Sequence, residues 1–142
     1  MKHPTSIRYY LAKTEPSVYS IDDLKRDKRT VWDGVVNPQA VRAIKEMQPG
    51  DRVFIYHSGG VSAIAGLALV LSAGRPDPKN PKSAVVDLEF LLELDSPTTL
   101  AEVKQTKMFD DWALVRQGRL STMLVPDKFV SWMREKHPKA GI

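Results

Sequence analysis

One short stretch of the chain combines an aromatic ring with polar groups inside apolar sequence. In VWDGVVN, Trp32, Asp33 and Asn37 flank three valines, and the Asp-Gly pair predicts a turn. Such a set suits a planar heterocycle, because the ring can stack on it while the polar groups contact its edge. Stacking on an aromatic side chain contributes about 1–3 kcal/mol per base. We therefore interpret this stretch as part of a pocket for a nucleobase-like ligand.

Further polar candidates lie where other apolar, strand-like stretches begin or end. If strands 7–13, 52–58 and 119–125 are neighbours in one sheet, these side chains can converge at its rim. They are Lys13, Thr14, Glu15, Tyr56, His57, Ser58, Arg119 and Ser121.

The same residues also have structural interpretations. Trp32 taken alone is more often a core residue than a pocket wall. Asn37 stands before Pro38, the preferred order of a helix cap and a first helical residue, although one amide can cap a helix and face a cavity. His57 on an apolar strand is usually a structural histidine, and Glu15 fits a solvated loop.

Composition and motifs argue against several kinds of chemistry. The chain has no cysteine and three histidines, and it lacks the glycine-rich phosphate-binding motifs, so neither a zinc site nor a nucleotide cofactor is favoured. His57 and Ser58 can form a hydrolase dyad only if the strand ends between them, and no G-x-S-x-G motif accompanies them. We predict a non-enzymatic domain with no catalytic residues, metal ligands or cofactor.

Length and charge set the remaining limits. A chain of 142 residues predicts one domain, 1–142. Lys and Arg number 21 against 17 acidic residues, a mild basic bias that permits a nucleic-acid partner without requiring one. Because no signal-peptide pattern or apolar run of roughly 20 residues occurs, we expect a cytoplasmic protein with no membrane partner. The oligomeric state stays open.

The elements that must position these residues do not follow a regular strand–helix alternation. Segment 74–82, with three prolines, is predicted as a loop, and Gly66 as a bulge or bend. The predicted strands share apolar or alternating patterns and are 7–13, 52–58, 61–73, 83–94 and 119–125. The predicted helices share capping signals or an apolar face and begin after Ser20, Asn37 and Thr99, or lie within 109–118 and 127–137. This order favours an α+β fold, a small mixed, largely antiparallel β-barrel with surrounding short helices.

Four motifs in order resemble those of the EVE domain family, over roughly residues 9–130. They are YYLAKTEPSVYSIDDL, WDGVVNPQA, MQPGDRVFIYHS and RLSTMLV. EVE domains are PUA-like and similar to YTH domains, which hold a methylated adenine in an aromatic cage. The resemblance implies a reader of a modified, in particular methylated, nucleobase in DNA or RNA, which holds an extruded base without reacting with it.

The resemblance also implies a role for each matching position. Trp32 stacks on the base, with Tyr56 as a second wall. Three residues contact the edge of the base through hydrogen bonds: Asn37, Thr14 and Ser58. The residues that line or brace the pocket, or contact phosphate at its rim, are Lys13, Glu15, His57, Ser121 and Arg119.

The chain departs from the family pattern at several positions. Val36 stands where the family usually has Arg, Val41 where a basic or polar residue is common, and Leu124 where a proline is usual. Segment 74–86 is shorter than its usual counterpart. The missing Arg at Val36 and the shorter segment weaken the argument for phosphate contact, so capture of a ligand in the pocket is better supported than tight binding to a nucleic-acid backbone.

Two alternatives use the same residues. In the first, the pocket binds a free small heterocycle or nucleoside. In the second, the protein is an enzyme acting on a modified nucleotide, with His57 and Glu15 as acid and base.

Overall fold

The computed structural model describes residues 7–142. The first six residues, which include His3 and the start of the predicted 1–142 domain, lie outside the described part. The elements in chain order are β1 (Tyr9–Thr14), α1 (Ile21–Asp27), β2 (Arg29–Trp32), α2 (Pro38–Glu46), β3 (Arg52–His57), β4 (Ala63–Val70), β5 (Arg75–Asp77), β6 (Asn80–Thr99), α3 (Leu100–Thr106), α4 (Ala113–Arg116), β7 (Thr122–Leu124) and α5 (Asp127–Lys136).

The strands form one seven-stranded sheet in the order β2-β6-β4-β3-β1-β7, with β5 paired to β6. The β1–β3 pair is parallel, and the other pairs are antiparallel. The predicted α+β class with a mixed, largely antiparallel sheet is confirmed. Among the described helices, none has both the length and the apolar character needed to cross a bilayer.

The predicted barrel is not confirmed, because the sheet is not closed. Its end strands β2 and β7 have four and three residues and do not pair with each other. Helix α2 packs against both β6 and β7. Closing the sheet into a barrel would require hydrogen bonds between its two end strands, and α2 packs at this side of the sheet instead.

The three predicted strands that carry most polar candidates are neighbours, as expected. β1 lies between β3 and β7, with Thr14 opposite His57 on one side and Ala12 opposite Thr122 on the other. The last of these strands is shorter than predicted. Its backbone still continues the ladder towards Ser121, whose carbonyl accepts a hydrogen bond of 2.8 Å from the Lys13 N–H.

Two predictions of local structure were wrong. Segment 74–82 is not a loop: it contains β5 and the start of β6. The Pro76 position is tolerated because β5 pairs only with β6, and an edge strand does not need every N–H. The β2 segment was not recognised as a strand, although its residues 29–32 pair with β6.

Sequence signals for helix starts were reliable. Ser20 and Asp23 form a reciprocal capping box at α1, and Thr99 and Glu102 form another at α3. In the core, the Phe129 ring on α5 packs against Trp112, with ring centroids 4.6 Å apart. Phe129 also meets Phe54 of β3, with ring centroids 5.9 Å apart, so this aromatic cluster holds α5 against the sheet.

Gly66 marks an irregularity in β4, as predicted. The register shifts on both sides of this strand near Gly66. A Cβ atom at this position would lie 2.5 Å from the Leu92 carbonyl oxygen and 2.6 Å from the Ile21 Cδ1 atom. Only glycine allows β6 and α1 to approach this closely.

Candidate functional site

A cleft of about 470 Å³ opens between the end of β1, strand β2 and the start of α2. Six of the eleven residues predicted to bind a ligand line it: Lys13, Thr14, Trp32, Asp33, Asn37 and Ser121. Seven further residues complete the lining: Val18, Tyr19, Thr30, Val31, Gly34, Val35 and Val36. Its volume lies within the range of about 300–1,000 Å³ typical of small-ligand sites.

Trp32 is both a packed residue and a wall of the cleft. Strand β2 places it opposite Val86, and its side chain is largely buried, with 8% of the residue exposed. The Tyr19 ring meets the indole edge-on, with centroids 6.2 Å apart and planes at 82°. The core and pocket interpretations of Trp32 are therefore compatible, since the exposed part of the residue lies in the cleft.

The Asp-Gly turn shapes the segment that follows Trp32. Gly34 has φ of +80°, a conformation that favours glycine. The next residue, Val35, is buried, and its carbonyl accepts a hydrogen bond from the Ser83 hydroxyl. This contact fixes the turn to β6, so that Asp33 and Val36 lie exposed at the mouth of the cleft.

Asn37 caps α2 and lines the cleft. Its Oδ1 accepts hydrogen bonds from the N–H groups of Gln39, at 2.9 Å, and Ala40, at 3.2 Å. The side-chain NH₂ makes no hydrogen bond within residues 7–142, so its donors remain for a ligand. The cap predicted from the sequence is confirmed, and the same side chain also lines the cleft.

Lys13 and Thr14 contribute polar groups from the end of β1. The Lys13 ammonium donates a 2.9 Å hydrogen bond to the Gly118 carbonyl and lies 5.4 Å from the centroid of the Tyr56 ring. Burial lowers the pKa of this ammonium. The Thr14 hydroxyl donates to the Tyr19 carbonyl at 2.8 Å, which leaves its oxygen able to accept a hydrogen bond from a ligand.

His57 does not line the cleft. Its Nε2 accepts a hydrogen bond of 3.0 Å from the backbone N–H of Ile21, the first residue of α1. Because a backbone N–H can only donate, Nε2 is unprotonated and the neutral ring carries its proton on Nδ1. Burial lowers the pKa of His57. The imidazole therefore holds the start of a helix against β3.

Four other candidates also lie outside the cleft lining. Tyr56 is buried beneath Lys13 and reaches the site only through that ammonium. Ser58 donates its backbone N–H to the Thr14 carbonyl at 2.9 Å, and Glu15 accepts backbone hydrogen bonds in an exposed turn. Arg119 is exposed, one residue beyond the carbonyl that holds Lys13.

Sequence reasoning missed Tyr19, which is the aromatic neighbour of Trp32 in the cleft. It also missed two exposed apolar lining residues, Val18 and Val31. A signal for Tyr19 was present, because it lies within the first family-like motif, four residues after Glu15. Nothing in the local sequence distinguishes the two valines from ordinary surface positions.

The residues that line the cleft can stack on a planar ligand and form hydrogen bonds with it. Within residues 7–142, no group of three or more His, Asp or Glu side chains is placed to hold a metal ion. The Asp33 carboxylate makes no ion pair among the described residues. The available groups are an indole wall, a free amide donor, hydroxyl oxygens and one exposed carboxylate.

This open-sheet α+β domain with an aromatic-walled cleft matches a known class of small domain. The EVE domain pattern matches residues 8–136. The chain belongs to the EVE domain family.

Similar proteins come from bacteria and animals. The chain is 32% identical to human thymocyte nuclear protein 1, over 68% of this chain and 55% of that protein. It thus spans about half the length of the curated relatives it matches. Among solved structures, Rpa0253 from Rhodopseudomonas palustris has a TM-score of 0.85 and 33% identity, covering 93% of this chain and 94% of that chain.

A second solved structure includes a ligand. The human THYN1 protein in complex with 5-methylcytosine-containing DNA has a TM-score of 0.82 and 26% identity to this chain. The match covers 93% of this chain and 98% of that one.

Proposed function

We propose that this protein binds a modified, methylated nucleobase in DNA and holds it in the cleft without reacting with it. The observation that carries the proposal is the combination, in one cleft, of the Trp32 wall and the Asn37 NH₂ group, which makes no hydrogen bond within residues 7–142. The similarity to human THYN1, whose structure contains 5-methylcytosine DNA, makes a methylated cytosine the first ligand to test.

The polar groups of the cleft complement the edge of cytosine or adenine. The Asp33 carboxylate can accept a hydrogen bond from an exocyclic amino group, as acidic side chains do with cytosine N4. The Asn37 NH₂ can donate to a ring nitrogen or carbonyl. Thymine presents O4 where those bases present an amino group, and a carboxylate repels it. We therefore expect a preference for amino-bearing bases.

The contacts of the two proposed acid–base residues favour binding over catalysis. The His57 Nε2 lone pair is occupied by the Ile21 N–H, and Glu15 lies in an exposed turn. Neither lines the cleft. An enzyme using this pair would have to break the contact at the start of α1.

Titration of fluorescent oligonucleotides tests the proposal. The panel contains 5-methylcytosine, N6-methyladenine and the unmodified bases, in DNA and in RNA, together with the free nucleosides. We expect a modified DNA strand to bind at least tenfold more tightly than its unmodified counterpart. Equal affinity for the nucleoside and the oligonucleotide, without salt dependence, would instead identify a free-ligand binder.

Trp32 variants connect that binding to the cleft. Replacing a buried Trp with Ala costs about 3–5 kcal/mol of stability, so Trp32→Ala could unfold the domain. Trp32→Phe keeps an aromatic ring in the core and is therefore the variant in which binding should be measured. Trp132→Phe is the matched control, since Trp132 packs against Phe129 away from the cleft. Binding weakened equally by both Phe variants would contradict the proposed site.

A further inference from the structure

Three exposed valines surround the mouth of the cleft. Val18, Val31 and Val36 are 74%, 50% and 60% exposed, and all three line the cleft. We call them the valine collar. Apolar side chains this exposed are informative when they cluster, because a contiguous apolar patch marks a contact surface.

The charges at the mouth do not suit a phosphate backbone. Among the described residues that line the cleft, Lys13 is the one cationic side chain, and its ammonium donates a hydrogen bond to the Gly118 carbonyl. The exposed lining carboxylate, Asp33, repels phosphate. The residues that line the mouth therefore present apolar surface, one positive charge and one negative charge, with no excess of cations for phosphates.

We propose that the valine collar packs against the bases flanking the captured base, so that the cleft takes its ligand from an unpaired stretch of strand rather than from a duplex. This inference rests on the proposed function. In an unpaired strand the flanking bases can turn their faces onto the valines. Their burial supplies apolar contact, and the phosphates can point away from Asp33.

A duplex ligand fits these features less well. Extruding a paired base costs a few kcal/mol in lost pairing and stacking. Proteins that bind duplex DNA obtain much of their affinity by neutralising phosphates with Lys and Arg. A mouth whose lining has one lysine and one carboxylate carries no net positive charge and supplies little of that compensation. A base that is already unpaired avoids the larger part of the cost.

The test combines collar variants with altered ligands. Val18→Thr, Val31→Thr and Val36→Thr keep the shape of each side chain while adding a hydroxyl. Val61→Thr is the matched control, because Val61 is 75% exposed and does not line the cleft. The probes are a single strand with one central 5-methylcytosine, the same strand with abasic flanking positions, its duplex, and the free nucleoside.

For the intact single strand we expect each collar variant to bind about threefold to fivefold more weakly than wild type. This is the size expected for losing one methyl-sized apolar contact. The abasic-flanked strand and the nucleoside should bind all variants and wild type alike. Val61→Thr should match wild type on every probe, and the duplex should bind more weakly than the single strand.

Two results would overturn the collar proposal while leaving the proposed function intact. One is an equal loss on the intact strand and on the abasic-flanked strand. The other is a duplex that binds as tightly as the single strand. If wild type binds none of the modified probes, the proposed function itself fails, and this outcome is distinct because it does not depend on the collar variants.

Discussion

The Tyr19 ring stands edge-on to the Trp32 indole, with the ring centroids 6.2 Å apart. Tyr19 is held in this position at both ends. Its carbonyl accepts the Thr14 hydroxyl, and its own hydroxyl donates to the Asp27 carboxylate at 2.9 Å. The aromatic wall is therefore formed by contacts within the protein before any ligand enters.

Tyr19 substitutions should separate the ring from the hydroxyl. Tyr19→Phe keeps the edge-on contact and loses an exposed hydrogen bond, so we expect a stability change below about 1 kcal/mol and nearly unchanged affinity. Tyr19→Ala also removes the ring pair, which contributes about 0.5–1.5 kcal/mol beyond area burial, and should weaken binding at least tenfold. Chemical denaturation and oligonucleotide titration measure the two effects. If Tyr19→Ala bound the oligonucleotide as tightly as Tyr19→Phe and wild type, the Tyr19 ring would have no role in the site.

Asn37 substitutions should separate helix capping from ligand binding. Asn37→Ser retains a good cap but lacks the side-chain NH₂, so stability should stay within about 0.5 kcal/mol while affinity for the base falls roughly tenfold. Asn37→Ala removes the cap as well as the NH₂ group, so it should be about 1 kcal/mol less stable than Asn37→Ser. Thermal unfolding with parallel titration measures both quantities. An Asn37→Ser protein that binds like wild type would assign Asn37 to capping alone.

His57 should make stability depend on pH. In the unfolded chain its pKa returns to the ordinary value of about 6.5, whereas burial lowers the pKa in the folded protein. The unfolded chain therefore binds the proton more tightly, and stability falls as the pH drops below about 6.5 towards the folded pKa. Urea denaturation between pH 8 and pH 5 should show this loss of stability, and His57→Gln should make the loss smaller.

His137 is the control for this measurement. Burial, followed by the nearby Lys136 charge, lowers its pKa too, so it contributes a second part of the same slope. We expect His137→Gln to remove the His137 contribution to the pH dependence of stability. The stability of the double variant should be nearly independent of pH in this range. A His57→Gln protein with the full wild-type slope would contradict the assigned role of the imidazole.

Gly66 should tolerate no side chain. In Gly66→Ala the new methyl group would overlap the Leu92 carbonyl, so we expect a loss of about 1–3 kcal/mol in the free energy of unfolding. Gly118→Ala is the matched control, because a Cβ there meets nothing within 4 Å. Its unfolding free energy should stay within about 0.5 kcal/mol of wild type. Equal stability of the two variants would mean that β6 can move away from position 66.

Strong local signals explain what the sequence could predict. Capping patterns at Ser20, Asn37 and Thr99 each depend on a few neighbouring residues, and the helices begin where these patterns indicate. The apolar strands around 9–14 and 52–57 have enough length for an unambiguous pattern. The grouping of Trp32 and Asn37 in one cleft followed from the turn between them.

Long-range pairing explains what the sequence could not predict. Strand β2 has four residues, two of them charged or hydroxylated, and it is a strand only because β6 lies beside it. His57 looked like a pocket residue because the position of α1 above β3 cannot be read from either segment. The open sheet likewise depends on where α2 packs, and no local pattern encodes that position.

The Lys13 side chain and the Gly118 carbonyl meet across 105 residues of sequence. One wall of the cleft therefore needs two segments that lie far apart in the sequence, because β1 can pair with β7 only after residues 122–124 have emerged from the ribosome. Contacts this distant in sequence form slowly, since the intervening chain must first be ordered. A nascent chain would fold its central strands with an unpaired β1 edge, and this wall of the cleft would be completed only after β7 had been synthesised.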